Sequence, residues 1–124
     1  MTLGLQTDCK CNIQNVVEVK TNMESLTKES LIDFLCTFDE LCKNNAEFSQ
    51  FSNEVLFEVL NNNPDFLIRV LDGQSDQTKK YVYKEISNPI NDKFNPQELS
   101  LKINGTSPTA RAVIEALEIA NSKY

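Results

Sequence analysis

The sequence predicts an all-α fold: a compact single domain of short antiparallel helical hairpins with an irregular N-terminal arm. Apolar residues recur at three- and four-residue spacing along most of the chain from Leu26 onward, which is typical of amphipathic helices. Proline follows a capping residue at Asn63-Pro64, Asn95-Pro96 and Ser107-Pro108, the arrangement expected at a helix N-terminus. The 124 residues, of which 40% are hydrophobic, suit one packed domain.

Residues 1–23 are polar and carry little pattern, so we assign them to the N-terminal arm and residues 24–124 to the helical domain. Within the arm, Val16, Val17 and Val19 predict a short strand or an extended segment.

The first two helices are expected between Leu26 and the asparagines at 61–63. Thr27 is a good N-cap for the first helix, and Asn44-Asn45 ends it. Its apolar face comprises Leu31, Phe34, Leu35, Phe38, Leu41 and Cys42. The inward face of the second helix comprises Phe48, Phe51, Val55, Leu56, Val59 and Leu60.

Four further helices follow. The third begins at Pro64, and the fourth begins near Ser75 and stops before Pro89. A short helix begins at Pro96 and the last one at Pro108. Burial is expected for Phe34, Leu35, Phe38, Phe51, Val55, Val59, Leu67, Val70, Val82, Ile86, Val113, Ile114 and Leu117.

The four cysteines predict a disulfide tether between the arm and the first helix. Cys9 and Cys11 lie in the arm, and Cys36 and Cys42 lie six residues apart in the helix. Six helical residues rise about 9 Å, which exceeds the Cα separation that a disulfide allows. We therefore expect one or two bonds, at least one of which joins Cys9 or Cys11 to Cys36 or Cys42; the sequence leaves the assignment open.

Two alternatives to the tether remain at this point. Cys36 and Cys42 are also compatible with ordinary free thiols in a core. Four cysteines could also hold a zinc ion, although C-x-C with C-x5-C is an uncommon ligand spacing. The disulfide interpretation favours an extracytoplasmic location, periplasmic or secreted, slightly over a cytoplasmic one, with any leader peptide removed before Met1.

Composition argues against an enzyme and against several classes of ligand. The chain has no His, which is the commonest catalytic base and metal ligand. Its three glycines form no phosphate-binding motif, so we assign no catalytic, cofactor-binding or metal residue. A pI near 4.6 disfavours binding to nucleic acid. No apolar run approaches the roughly 20 residues that a membrane span needs.

Negative charge is concentrated in one part of the chain. Residues 24–65 hold nine acidic residues against two lysines, while the whole chain has a net charge of −6. With continuous helices, these acids form one stripe on each of the first two helices. The first stripe comprises Glu29, Asp33 and Glu40, and the second comprises Glu47, Glu54 and Glu58. Such stripes either keep a small protein soluble or dock a basic partner.

A small acidic helical domain without catalytic apparatus is most simply a binding protein. We expect a cognate inhibitor or immunity-type protein that covers a basic site on a toxin or hydrolase, with the two acidic stripes as its docking face. The alternatives are a helical adaptor or scaffold and an envelope-associated structural domain tethered through its arm. A protein partner with a basic surface is expected, without nucleic acid, cofactor or membrane span.

Overall fold

The structure, a computed structural model, describes residues 9–90 and 92–123. This part of the chain contains seven α-helices, two short 3₁₀ turns and no strand, so the predicted all-α class is confirmed. The helices are α1 Ile13–Thr21, α2 Lys28–Cys36, α3 Ala46–Asn62, α4 Pro64–Asp72, α5 Asp76–Ile86, α6 Pro96–Leu101 and α7 Pro108–Ser122. The 3₁₀ turns span Met23–Ser25 and Glu40–Asn44. We call the second one the 40–44 turn.

All seven helices contribute to one cluster of buried apolar side chains. α1 packs against α2 and α3, and α7 packs against α4, α5 and α6. Phe34, Phe57 and Leu117 are among its largest fully buried members. Most of the predicted core is buried, but Phe51 and Ile114 are only partly buried. Leu41, which was expected on the apolar face of the first helix, is 73% exposed.

The predicted strand or extended segment near Val16 is wrong, because this part of the arm is helix α1. The side chain of Asn12 caps α1 by accepting a hydrogen bond from the N–H of Gln14. Val16 and Val19, three residues apart, face the core and are both 0% exposed. Their burial against α2 and α3 outweighs the preference of valine for strands. Residues 1–8 of the arm lie outside the described residues.

The first helix ends earlier than the sequence predicts. α2 begins after Thr27, as expected, where a capping box joins Thr27 and Ser30. It stops at Cys36, and the chain turns at Asp39, whose backbone is extended and whose side chain caps the 40–44 turn through the N–H of Leu41. The carbonyl of Thr37 accepts a hydrogen bond from the N–H of Cys11, 26 residues earlier. A contact between residues so far apart in sequence cannot be inferred from the local spacing of apolar residues.

The starts predicted for the last four helices agree with the structure, although the side chain of Asn63, the predicted cap of α4, makes no capping hydrogen bond. Asn45 caps α3, Ser75 caps α5, and Asn95 and Ser107 cap α6 and α7 with side-chain hydrogen bonds to backbone N–H groups. Proline occupies the first position of α4, α6 and α7, where no intrahelical N–H is needed. These caps fix where each helix starts and so set the positions of the acidic side chains and of the cleft described below.

Candidate functional site

Two of the six candidate docking residues form an exposed acidic face on α2. Glu29 and Asp33 lie four residues apart, and therefore on one side of the helix, and both are exposed. Among the side chains that the structure describes, which do not include that of Lys43, no ion pair involves either carboxylate. We call this pair the α2 acidic face. Both charges are therefore available to a partner.

The acids of α3 are mostly engaged within the protein. Glu54 pairs with Lys93, and Glu58 pairs with Lys20 at 2.8 Å between Oε2 and Nζ. The side chains of Glu54 and Glu58 are only 24% and 16% exposed. Glu47, in the first turn of α3, is exposed and makes no ion pair with another described side chain. The stripe predicted on this helix is thus partly neutralised by lysines from α1 and from the segment before α6.

Glu40 does not continue the α2 acidic face as expected. α2 ends at Cys36, so the helical spacing that was to align Glu40 with Asp33 is lost. Glu40 lies instead in the 40–44 turn, where its Oε1 is 3.4 Å from Lys84 Nζ of α5. Both side chains are about half exposed, at 55% and 48%. Such an exposed ion pair contributes little to stability, and either side chain can pair with another charged group instead.

The Glu40–Lys84 pair lies beside a cleft of about 310 Å³. The 40–44 turn forms one wall, the N-terminal half of α3 forms the floor, and the C-terminal half of α5 forms the opposite wall. Its apolar lining includes Phe38, Phe48, Tyr81 and Ile90. An apolar cleft with a few polar groups on its walls is the usual form of a binding site.

A fully buried asparagine holds the far wall of the cleft. Asn53 is 0% exposed. Its Nδ2 donates to Oε1 of Glu85 at 2.9 Å and lies 3.3 Å from the carbonyls of Glu85 and Asn88. Its Oδ1 accepts from the N–H of Ile90 at 2.9 Å. One side chain thus fastens the end of α5 and the following loop to α3.

Glu85 is a partly buried carboxyl on this wall. Burial raises the pKa of Glu85 above its ordinary value, because the charged form loses hydration. The hydrogen bond from Asn53 and the positive charge of Lys84 oppose this rise without cancelling it. Glu85 makes no ion pair with any described side chain.

Two disulfides hold the opposite wall. Cys9 is bonded to Cys36 and Cys11 to Cys42, so the predicted tether between the arm and this region is confirmed. All four cysteines form disulfides, so the two alternatives considered above, free thiols and a four-cysteine zinc site, are wrong. The Cys11–Cys42 bond ends in the 40–44 turn, and Ser49 Oγ of α3 donates to the carbonyl of Cys42 at 2.8 Å.

An ion pair reinforces the same wall. Lys10 Nζ lies 2.7 Å from Oδ2 of Asp39, and the N–H of Leu41 donates to Oδ1 at 2.9 Å. These two hydrogen bonds, that of Lys10 first, lower the pKa of Asp39 below its ordinary value. Asp39 is therefore an internal anchor for the arm and not a free docking charge.

Sequence reasoning missed the cleft, Asn53 and Glu85. A signal for Asn53 was present, because it precedes Leu56, Phe57 and Leu60 by three, four and seven residues and so lies on the buried face of α3. A polar residue on such a face needs hydrogen-bond partners. The sequence could not show that these partners come from residues 85–90.

Comparisons with protein-family models, with curated proteins and with solved structures found no match to this chain. Within the described residues, no group of three or more Cys, Asp or Glu side chains is placed to hold a metal ion. None of the described helices has both the length and the apolarity to cross a membrane. We therefore interpret the acidic face and the cleft from their own geometry.

Replacing Glu85 by Gln is expected to stabilise the protein more at pH 7 than at pH 4. A raised pKa means that the folded state holds this proton to higher pH than the unfolded state does. The contribution of Glu85 to the free energy of unfolding is therefore largest at low pH. It falls as the pH rises from the pKa of Glu85 in the unfolded chain to its higher pKa in the folded protein. In Glu85→Gln the amide oxygen still accepts from Asn53, and the charge that burial penalises is gone.

Urea unfolding of the wild type and Glu85→Gln at both pH values measures this difference. Glu118→Gln, which changes an exposed carboxylate on α7, serves as the control for the removal of one negative charge. A stability difference that is the same at pH 4 and pH 7 would contradict the burial of Glu85 as the cause.

Proposed function

We propose that this chain is a non-enzymatic binding protein of the inhibitor or immunity type that covers a basic surface on a protein partner such as a toxin or hydrolase. The observation that carries the proposal is the α2 acidic face, since Glu29 and Asp33 are exposed and have no ion-pair partner among the described residues. Glu47 and the weakly paired Glu40 add exposed negative charge in the same half of the chain. Glu54 and Glu58 add less negative charge to this surface, because each is paired with a lysine.

Exposed carboxylates of this kind act mainly on association. They steer a basic partner during diffusional encounter and exclude acidic ones, while adding less to affinity. Their effect weakens with salt, since the Debye length falls from about 10 Å at 0.1 M to about 3 Å at 1 M. The two disulfides support an oxidising, extracytoplasmic compartment as the place where this protein meets its partner.

A helical adaptor is the second candidate function, and the apolar cleft favours it. An adaptor would hold an extended or helical segment chiefly through apolar contacts. Its binding would depend on the cleft and be nearly independent of salt, whereas binding by an inhibitor of a basic partner would be salt-sensitive.

Charge reversal on α2 tests the proposed function. The wild type, Glu29→Lys/Asp33→Lys and the control Glu115→Lys/Glu118→Lys are immobilised and exposed to an extract of the source cells. The control reverses two exposed carboxylates on α7. We expect a protein that is retained by the wild type and the control at 0.1 M salt but lost by the α2 variant.

Binding kinetics of that protein then separate the mechanisms. The α2 variant should associate at least about tenfold more slowly at low salt, and this difference should shrink at 1 M salt. Circular dichroism should show unchanged helicity, because exposed charges contribute little to stability. A partner retained equally by all three proteins would overturn the role of the α2 acidic face.

A further inference from the structure

We propose that the cleft between the 40–44 turn, α3 and α5 receives one lysine or arginine side chain of the basic partner. The aliphatic stem would lie on the apolar lining and the charged head beside the carboxylate of Glu85. This inference rests on the proposed function, because it names the place where the basic partner inserts a side chain.

The lining of the cleft suits the stem of such a side chain. Phe38, Phe48 and Tyr81 provide aromatic surface inside it. At its edge, Ile90 is 53% exposed, and Leu41, next to the lining residues Glu40 and Cys42, is 73% exposed. Lysine and arginine regularly bury their methylene groups on apolar surface while the head remains in a polar environment. An aromatic ring facing the cation adds a favourable cation–π contact.

Charge complementarity selects a cation over a purely apolar occupant. Glu85 lies on the wall, already partly dehydrated, with one hydrogen bond from Asn53 to its Oε1 and without an ion pair to a described side chain. An apolar occupant would remove the remaining water from this carboxylate and provide no compensation, which is costly. A guanidinium or ammonium head would supply the missing counter-charge.

The mouth of the cleft adds a second carboxylate. Among the described side chains, Glu40 pairs with Lys84 alone, across 3.4 Å and with both side chains about half exposed. The cationic head of the incoming side chain can share Glu40 with Lys84 without breaking a buried interaction. The third acid of the lining, Asp39, is occupied by Lys10 and by the N–H of Leu41. Glu85 and Glu40 are therefore the two carboxylates that we assign to the cation.

Nuclear magnetic resonance with a small probe tests the cleft directly. Pentylguanidinium carries the head group of arginine on an alkyl chain two carbons longer than the arginine stem, and guanidinium and 1-pentanol represent the head and the alkyl chain alone. We expect pentylguanidinium to shift the amide resonances of Ser49, Ser52, Tyr81 and Ile90 saturably, with a dissociation constant in about the millimolar range for so few atoms. Each partial probe should bind at least about tenfold more weakly, because it lacks either the stem or the head.

Matched variants separate the charge from the apolar surface. Glu85→Gln should weaken pentylguanidinium binding at least about tenfold, whereas Glu118→Gln should leave it unchanged. Ile90→Ser should weaken it more than Ile119→Ser, although the two isoleucines are 53% and 52% exposed. The amide spectrum of each variant shows whether it is folded. Binding that is equal in the wild type and Glu85→Gln, or equal for pentylguanidinium and 1-pentanol, would overturn the inference.

The two proposals fail in different ways. Loss of the captured partner by the α2 variant, combined with no saturable shifts at the cleft, would overturn the cleft inference and leave the proposed function standing. Specific binding of pentylguanidinium, combined with a partner insensitive to the α2 charges, would support a cation-binding cleft and overturn the docking role of α2.

Discussion

Loss of both disulfides is expected to lower the free energy of unfolding by more than the roughly 2–4 kcal/mol that a single disulfide typically contributes. The Cys11–Cys42 bond joins residues 31 apart, and the Cys9–Cys36 bond joins residues 27 apart. Each closes a long loop in the unfolded chain and so reduces its conformational entropy. Since domains of this size are stable by only about 5–15 kcal/mol, losing both bonds would remove a large part of the total.

The two bonds are expected to be non-additive. Both hold the same segment, Cys9 to Cys11, to the end of α2 and the 40–44 turn. While one remains, the other closes only a short additional loop, so its removal costs less than it would alone. Cys9→Ser/Cys36→Ser and Cys11→Ser/Cys42→Ser should therefore each lose less than half of what the variant without cysteines loses.

Urea unfolding of the three variants measures these losses, and peptide mapping checks the pairing on which they depend. Trypsin cleaves after Lys10, between Cys9 and Cys11, and a glutamyl protease cleaves after Glu40, between Cys36 and Cys42. A non-reducing digest should therefore release the two bonded pairs as separate species. Four free thiols after oxidative expression, or the crossed pairing, would contradict the structure.

The helix starts could be predicted from the sequence because caps are local. Thr27, Ser75, Asn95 and Ser107 each satisfy a backbone N–H two or three residues ahead, so the information lies within one helical turn. The core of the later helices was predictable for the same reason, since a single apolar stripe indicates the buried side of a helix.

The elements that the sequence did not predict depend on distant contacts. α1 forms because Val16 and Val19 are buried against α2 and α3, which overrides the strand preference of its valines. α2 ends at Cys36, next to the point where the N-terminal arm packs against the chain. There Cys11 forms a disulfide with Cys42, and its N–H donates a hydrogen bond to the carbonyl of Thr37. Local periodicity extends a helix through Thr37 and Phe38, because nothing nearby in sequence stops it.

The candidate docking face was only partly predictable for a related reason. Helical spacing correctly placed Glu29 and Asp33 on one exposed side. It could not show that Glu58 would meet Lys20, 38 residues away, or that Glu54 would meet Lys93, 39 residues away. A count of acids overstates the negative charge that a partner meets, because ion pairs form after folding.

Replacing Asn53 by Leu is expected to cost about 3–5 kcal/mol of unfolding free energy, since several partly buried polar groups lose their partner at once. Asn53 is fully buried on α3, and its amide contacts Oε1 of Glu85, the carbonyl of Asn88 and the N–H of Ile90. Leucine has a similar size but can neither donate nor accept a hydrogen bond. The same substitution at Asn62, an exposed residue near the end of α3, should cost less than about 1 kcal/mol.

Asn53→Asp separates the two roles of this side chain. The new carboxylate can still accept from the N–H of Ile90, but it cannot donate to Glu85 and adds a second negative charge beside it. Hydrogen exchange at the amide of Ile90 should accelerate in Asn53→Leu and remain slow in Asn53→Asp at acidic pH, where repulsion between the two neighbouring carboxyl groups is weakest. Equal protection of this amide in the wild type and Asn53→Leu, with a stability loss below about 1 kcal/mol, would mean that Asn53 does not hold the wall of the cleft.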